Sequence, residues 1–274
     1  MGILNTKIDF AAILSVVNAN PNGDPLTGNQ PRVTYAGVGE ISDVCIKRKL
    51  RNRLMDAGCP IFVQSDDRAA DGFKSLKERA ESVPELKKEK DRDKFAQIAC
   101  EKWLDVRAFG QVFAFKGDEM SVGVRGPVSV HPAFSVEPVT VVSTQITKSV
   151  NSMPGPKKGS DTMGMKHRVE RGVYVAYGSV NCQLAEKTGF TEADAEEIRK
   201  ALCTLFENDA SSARPDGSMA VREVFWWRHN CKSGQYSSAK VHGSITVKPS
   251  DEAPFYTVER HDLDGLTPEV YEGI

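Results

Sequence analysis

Amide side chains recur at alternate positions of a short polar loop near the start of the sequence. The loop reads Asn18-Ala-Asn-Pro-Asn-Gly-Asp24, with asparagines at positions 18, 20 and 22. Asparagine amides donate to phosphate oxygens and ribose hydroxyls, and glycine lets a backbone approach a ligand closely. The loop therefore indicates contact with a nucleic-acid backbone, supported by Arg32 further along the same connection. These residue types also favour a turn, and a turn and a binding loop are compatible.

A run of basic residues follows at positions 47–53. Its five cations are Lys47, Arg48, Lys49, Arg51 and Arg53. The whole chain has 36 Lys+Arg against 37 Asp+Glu, so the run is a local concentration of charge. On a helix, Lys47 and Arg51 fall between two apolar stripes, where their stems can pack while their charges meet phosphates. A solvated helix face is the alternative interpretation.

Asp24 is the one acid that the sequence singles out for catalysis. A carboxylate beside a phosphodiester can position a metal ion or a water, but aspartate in a Gly-Asp-Pro turn is usually structural. The sequence contains no G-x-S-x-G, Walker or H-E-x-x-H motif, no C-x-x-C pair and no histidines at zinc-site spacing. We therefore predict no catalytic residue, no protein-held metal and no cofactor.

A second basic tract lies in the segment 147–171, where apolar periodicity disappears. Its cations accompany three methionines, at positions 153, 163 and 165. An extended arm of this composition could reach along a nucleic-acid strand and wedge between bases. A disordered basic loop is the alternative. The cations of the tract, counting histidine, are Lys148, Lys157, Lys158, Lys166, His167 and Arg168.

These tracts must be positioned by a mixed α+β fold. The patterns predict strands over 8–17, 103–115, 122–130, 139–146, 172–184, 219–228 and 240–248. They predict one helix capped by Ser42 and ending near Gly58, one capped by Thr191 and running through Glu207, and solvated helices within 64–102. Without insertions, the order strand, helix, strand, strand, helix, strand is that of a ferredoxin-like or RNA-recognition-motif core. Arg107 to Val112 partly matches that motif's aromatic strand but lacks its second aromatic, so we infer no base stacking there.

Composition places the chain in the ordinary globular range, with 274 residues, 40% hydrophobic and 27% charged. No run approaches the roughly 18 apolar residues needed to cross a bilayer, and the N-terminus lacks a signal-peptide pattern. We expect a cytoplasmic protein without membrane contact.

Several motifs in order resemble those of the backbone subunit of the type I-C CRISPR Cascade complex. The matching segments are Asn18 to Pro25, Ile41 to Arg51, Trp103 to Gly110, Ile146 to Lys148 and Met163 to His167. The resemblance implies a hand-shaped chain with an RNA-recognition-motif palm, fingers and a thumb. It implies that copies polymerise along one CRISPR RNA, and that each thumb displaces a guide base and leaves the others to pair with target DNA.

The resemblance also assigns domains and residues. It gives a palm at about 1–60, 103–146 and 172–248, a finger insertion at 61–102 and a thumb at 147–171. The acidic residues after Ser250 predict a tail at 249–274 that lies along the surface. Lys49 and Arg53 are expected to face solvent or another subunit. The predicted RNA-binding residues are Asn18, Asn20, Asn22, Arg32, Lys47, Arg48, Arg51, Lys148, Asn151, Lys166, His167 and Arg168.

The implied partners are CRISPR RNA, other copies of the chain, the large, small and guide-processing Cascade subunits, target DNA through the guide, and later a recruited helicase-nuclease. Two other functions stay open. One is an RNA-guided RNA endonuclease subunit that uses Asp24 with a divalent metal, as in related type III complexes. The other is a monomeric single-strand binder.

Overall fold

A long apolar strand organises the main sheet of the protein. The structure, a computed structural model, describes residues 2–69, 71–115, 120–147 and 163–274. Strand β1 (Ile8–Ala19) pairs antiparallel with β10 (Met163–Val180) on one side and with β11 (Met219–Arg228) on the other. The prediction of an interior strand over 8–17 is therefore confirmed. Strand β11 has the predicted bounds, whereas β10 begins inside the predicted arm.

Among the described residues, eight strands form this sheet in the order β14-β11-β1-β10-β8-β4, and β7 and β9 also pair with β10. The outer pairings are also antiparallel: β10 with β7, β8 and β9, β8 with β4, and β11 with β14. The short strands are β4 (Val38–Ile41), β7 (Val128–Val130), β8 (Ala133–Pro138), β9 (Val141–Thr147) and β14 (Glu269–Glu272).

Two helices cover one face of the sheet. Helix α1 (Asp43–Asp56) begins where Ser42 Oγ accepts the N–H of Cys45 at 3.3 Å, as predicted. Helix α7 (Glu192–Cys203) begins with a capping box at Thr191, also as predicted, but ends four residues before Glu207. The apolar sides of both helices pack on the even-numbered residues of β1, so Phe10, Leu14 and Leu50 share one buried cluster.

The opposite face of the sheet is also covered. Helix α8 (Ser238–His242) and the hairpin of β12 (Ile245–Pro249) and β13 (Tyr256–Arg260) pack there on Ala11, Ile13 and Trp227. The predicted strand over 240–248 is wrong before Ile245, because Ser237 caps a helical turn by accepting the N–H of Lys240. Trp226 lies in the other cluster, so the two adjacent rings occupy opposite sheet faces.

The segment 249–274 is more than a surface tail. Most of its side chains are exposed, as expected, but β13 completes a hairpin and β14 forms an edge of the main sheet. Tyr256 and Leu266 are buried. The segment therefore contributes strands and buried side chains to the fold, which its acidic composition did not indicate.

A second core lies in the insertion. Helices α2 (Leu76–Glu81), α3 (Pro84–Lys88) and α4 (Arg92–Lys102) confirm the predicted solvated helices. They enclose a cluster that includes Phe62, Phe95 and Trp103, together with Phe113 and Val122 from the hairpin of β5 (Gln111–Phe113) and β6 (Val122–Val124). The second core thus extends beyond the predicted finger boundary at residue 102.

The prediction of a strand over 103–115 is wrong for its first half, which forms helix α5 (Leu104–Phe109). The aromatic and apolar residues there serve two cores: Leu104 and Ala108 join the main cluster, whereas Trp103 and Val106 join the second. Helical spacing, not strand alternation, sends them in these two directions. The partial RNA-recognition-motif strand at 107–112 is therefore not a continuous strand.

Two further predicted strands are interrupted. The strand over 122–130 breaks between β6 and β7, since a Cβ at Gly126 would lie 2.2 Å from the carbonyl oxygen of Ala108. The strand over 172–184 stops at Val180, where Asn181 Oδ1 accepts two backbone N–H groups and starts α6 (Cys182–Thr188). Among the described residues, no helix has the length and apolar character to cross a membrane.

Candidate nucleic-acid interface

The asparagine-rich loop is fastened to the start of helix α1. Asn22 Oδ1 accepts hydrogen bonds from the backbone N of Ser42 at 2.9 Å and from its Oγ at 2.8 Å. Ser42 is also the helix cap, so Asn22 links the loop to the first turn of the helix. Beyond the loop, β2 (Gly23–Asp24) pairs with β3 (Gln30–Pro31). Asn22, predicted to contact RNA, therefore uses its amide oxygen to hold the loop against the helix.

Asn20 and Asn18 differ sharply in their exposure. Asn20 is 3% exposed, its Nδ2 donates to the carbonyl of Asn29 at 2.7 Å, and its backbone N donates to Ala213 at 2.9 Å. Asn18 is exposed and has φ 52°, in the left-handed region that asparagine tolerates better than most residues. Its Oδ1 accepts a hydrogen bond from Arg168 Nε at 3.1 Å. Of the three loop asparagines, Asn18 presents the accessible amide.

Asp24 and Arg32 contact each other at the base of the same loop. Asp24 Oδ1 accepts the N–H of Leu26 at 3.1 Å and caps a short 3-10 turn, Pro25–Thr27. Arg32 lies 3.5 Å from that carboxylate oxygen. Within 2–69, 71–115, 120–147 and 163–274, no group of three His, Cys, Asp or Glu side chains could hold a metal ion. The carboxylate of Asp24 is engaged in local structure.

Four of the five cations of the basic run are paired with aspartates. Lys47 pairs with Asp43 at 3.0 Å, Arg51 with Asp105 at 2.9 Å and Arg53 with Asp56 at 2.8 Å, and Lys49 pairs with Asp209. Arg48 is half-buried and makes no hydrogen bond or ion pair with any described residue. The pairing explains how a basic run occurs in a nearly neutral chain.

The expectation that Lys49 faces solvent or another subunit is wrong. Lys49 is 1% exposed, and Asp209, its partner, also binds Arg214 at 3.0 Å. Burial lowers the pKa of Lys49, while the Asp209 carboxylate opposes that shift. The ion pair fastens α1 to the segment 209–218, whose Ser218 carbonyl accepts the N–H of Val17 at the end of β1.

Arg51 lies at the junction between the two cores. Its partner Asp105 is 1% exposed and also accepts the backbone N–H groups of Phe62 at 2.7 Å and Val63 at 3.0 Å. The guanidinium of Arg51 lies 5.1 Å from the centre of the Phe109 ring. Asp105 lies on the short helix α5, which also carries Arg107, and Arg107 pairs with Asp194 of α7 at 2.7 Å. Helix α5 is thus tied to both helices of the main sheet.

The predicted arm begins as a two-stranded ribbon. Strands β9 and β10 pair in register from Val141 with Val169 to Thr147 with Met163. Because side chains alternate along a strand, Lys166 and Arg168 share one face, and His167 lies on the other with Met163 and Met165. The basic triplet 166–168 is therefore divided between two faces. Lys148 and Asn151, with the rest of 148–162, lie outside the described residues.

The two faces of the ribbon have different chemistry. Met163 and Met165 are 55% and 54% exposed, and His167 Nδ1 lies 2.7 Å from Ser143 Oγ on the neighbouring strand. On the opposite face, Lys166 makes no ion pair or hydrogen bond with a described residue, and Arg168 contacts Asn18. One face therefore offers cations to phosphates, next to the exposed side chain of Ile146, and the other offers methionines of the kind that pack on bases.

Several contributing residues escaped the sequence analysis. Ser143 pairs across the ribbon with His167, and Arg171 lies over the Phe255 ring at 3.9 Å. Ser143 is a polar residue within the predicted strand 139–146, and that position could have indicated a polar contact across the ribbon. Nothing in the local sequence indicated Arg171 and Phe255, because 84 positions separate them.

Comparisons with known proteins place these features in context. A family model described as "CRISPR-associated protein Cas7" matches residues 6–264. A protein of Haloferax volcanii with the same description is 26% identical over 228 residues, which cover 76% of this chain and 67% of the relative. A chain of a "CRISPR RNA-guided surveillance complex, pre-nicking" is 18% identical, with a TM-score of 0.49 and coverage of 85% of this chain and 83% of that chain. A chain of a "CRISPR RNA-guided surveillance complex" is 20% identical, with a TM-score of 0.47 and coverage of 81% and 69%.

Proposed function

This chain belongs to the family of CRISPR-associated protein Cas7, with which residues 6–264 match, and from that premise we propose that it is a non-catalytic backbone subunit that binds CRISPR RNA. In this proposal several copies polymerise along one guide and present its bases for pairing with target DNA in antiviral defence. The type I-C subtype, the large, small and guide-processing subunits, a later helicase-nuclease and a cytoplasmic location belong to the same proposal.

The contact between Asn18 and Arg168 is the observation that best supports RNA binding. It joins the accessible end of the loop to the base of the arm, with Arg168 Nε 3.1 Å from Asn18 Oδ1. Asn18 Nδ2 and the terminal nitrogens of Arg168 then remain as donors beside Lys166, which has no carboxylate partner among the described residues. Donors of this kind contact phosphates and sugars without reading sequence, which suits a protein whose guide supplies the specificity.

The direct contacts in this proposal are a subset of the predicted residues. Asn18, Arg48, Lys166 and Arg168 contact the RNA backbone, and His167 lies on the face that packs on bases. Lys148 and Asn151 of the arm remain predicted contacts. The remaining predicted residues, each engaged with another residue of the chain, position these groups: Asn20, Asn22, Arg32, Lys47 and Arg51.

The strand order supports an RNA-recognition-motif-like palm. In a ferredoxin-like core the fourth, first, third and second strands lie side by side, and here β11, β1, β10 and then β7 and β8 follow that order. We assign the fingers to 61–102 with the β5-β6 hairpin, and the thumb to 147–171. Because α8, β12 and β13 cover the second face of the sheet, the guide in this proposal follows the loop and arm instead of an open sheet.

A salt titration tests the RNA contacts. Lys166→Ala with Arg168→Ala should weaken binding of single-stranded RNA and reduce the slope of log K against log salt by about 1.4, since each lost contact to a single strand accounts for about 0.7. Lys88→Ala with Lys94→Ala is the matched control, because both lysines are exposed in the insertion. An unchanged slope in the first variant would refute the assignment.

Two further measurements separate the alternatives. Light scattering with and without guide RNA distinguishes a filament from a monomeric single-strand binder, since only the filament grows with guide length. Incubation of assembled complex with complementary RNA and Mg²⁺ tests the nuclease alternative. RNA cleavage that disappears in Asp24→Ala would overturn the non-catalytic proposal, whereas the engagement of Asp24 with Leu26 and Arg32 supports it.

A further inference from the structure

A polar cavity lies at the opposite end of β1 from the asparagine-rich loop. Its volume is about 350 Å³, within the range of small-ligand sites. Every residue of its lining is lysine, serine, asparagine or glutamine, and no carboxylate is among them. The chief lining residues are Lys7, Ser179, Asn181, Lys232, Ser233 and Ser238.

The lining has more hydrogen-bond donors than acceptors left for a ligand. Lys7 Nζ donates to the carbonyl of Tyr236 at 3.2 Å and lies 2.9 Å from Asp9 Oδ2, so one of its three N–H groups remains. Asn181 Oδ1 already accepts the N–H groups of Gln183 at 2.9 Å and Leu184 at 3.2 Å. What Asn181 can still offer is its amide NH₂. The hydroxyls of Ser179 and Ser233 can donate as well, whereas that of Ser238 already hydrogen-bonds to the carboxylate of Asp9.

The two ammonium groups of the cavity are compensated to different degrees. Asp9, the partner of Lys7, is fully buried and also lies 2.8 Å from His229 Nε2. Burial raises the pKa of Asp9, but the hydrogen bonds to His229, Ser238 and Lys7 outweigh it and keep the pKa below its usual value. Lys232 instead pairs with Glu186 at the surface, where the two side chains are 58% and 47% exposed. Exposed pairs contribute little, so Lys232 can exchange its partner for a ligand.

We infer that this cavity binds a phosphate group. Phosphate oxygens are strong acceptors that lysine and hydroxyl groups bind well, and every side chain of the lining is polar. The phosphate can come from a free nucleotide or from a nucleic-acid strand, and both sources offer the same chemistry. The site is separate from the guide contacts proposed above, which lie at the other end of β1.

Calorimetric titration of the full chain tests this site with three probes: inorganic phosphate, adenosine monophosphate and a short single-stranded RNA. Lys232→Ala should weaken phosphate binding roughly tenfold or more, the effect expected for one charge-assisted hydrogen bond. Ser233→Asp, which adds a carboxylate among the donors, should abolish it. Lys187→Ala is the matched control, an exposed lysine on α6 outside the lining. Lys232 and Ser233 are also exposed, so both variants should fold.

The outcomes distinguish the sources and can refute the site. Binding of phosphate or adenosine monophosphate that depends on Lys232 identifies a small phosphate ligand. Binding of RNA alone, weakened by Lys232→Ala and not by Lys187→Ala, identifies a strand of nucleic acid. Absence of binding by all three probes, or equal effects of Lys232→Ala and Lys187→Ala, would overturn the inference.

Discussion

Substituting the two members of the buried Lys49–Asp209 ion pair should destabilise the protein to different degrees. Lys49 is 1% exposed and has one carboxylate partner, whereas Asp209 also binds Arg214 at 3.0 Å. Asp209→Asn therefore leaves a buried ammonium without its compensating carboxylate, with the Phe206 ring 5.4 Å away. Lys49→Met removes the buried charge itself, and Asp209 keeps an arginine partner.

The magnitudes follow from that asymmetry. Removal of one member of a buried ion pair typically costs about 3–5 kcal/mol, so we expect Asp209→Asn to lower the free energy of unfolding by that amount. Lys49→Met should cost no more than about 1.5 kcal/mol, because Asp209 keeps Arg214 as a partner and no buried charge is left uncompensated. The double variant Lys49→Met with Asp209→Asn should recover most of the stability lost in Asp209→Asn.

Urea denaturation followed by circular dichroism measures all three variants, and the cycle gives the coupling energy of the pair. The pH dependence supplies a second readout. The pKa of Lys49 is lowered in the folded protein, so the unfolded chain binds more protons between that pKa and the ordinary value of about 10.4. The stability of Asp209→Asn relative to Lys49→Met should thus rise as pH approaches 10. Equal losses in the two single variants, or additivity in the double variant, would refute the reasoning.

Three further predictions concern other contacts. Asp105→Asn should cost about 3 kcal/mol and speed proteolysis of the insertion, because Arg51 loses its partner at the junction of the two cores; wild-type proteolysis rates would contradict this. Asp194 has its pKa lowered by hydrogen bonds that outweigh burial, so its stabilisation is complete above about pH 4 and is lost as pH falls through the folded pKa. The stability difference between wild type and Asp194→Asn should narrow in acid, and a constant difference would argue against it. Asn22→Ala should destabilise by about 1–2 kcal/mol in thermal unfolding and Asn18→Ala by far less, and equal effects would show that Asn22 does not anchor the loop.

The regular elements near the proposed interface were predictable because their signals are local. The stretch from Ile8 to Val17, apolar apart from Asp9 and Ser15, predicted β1. Ser42 and Thr191 marked two helix starts through side-chain acceptors placed next to free backbone N–H groups. The strand predicted over residues 103–109 was wrong because the signal there is not local. Their apolar residues divide between two cores. When all of them are assumed to face one core, the pattern resembles strand alternation instead of helical spacing.

Composition and order of residues by themselves determined that this is a mixed α/β chain with two basic tracts, an amide-rich loop and the motifs of one family. Tertiary structure alone decided which of those groups are available to a ligand. Charge and amide content are visible in sequence, but pairing depends on residues far away: Asp105 and Asp209 lie 54 and 160 positions from the cations they hold. The fold thereby turns most of a basic run into internal ion pairs, and leaves Asn18, Arg48, Lys166 and Arg168 without a carboxylate partner among the described residues.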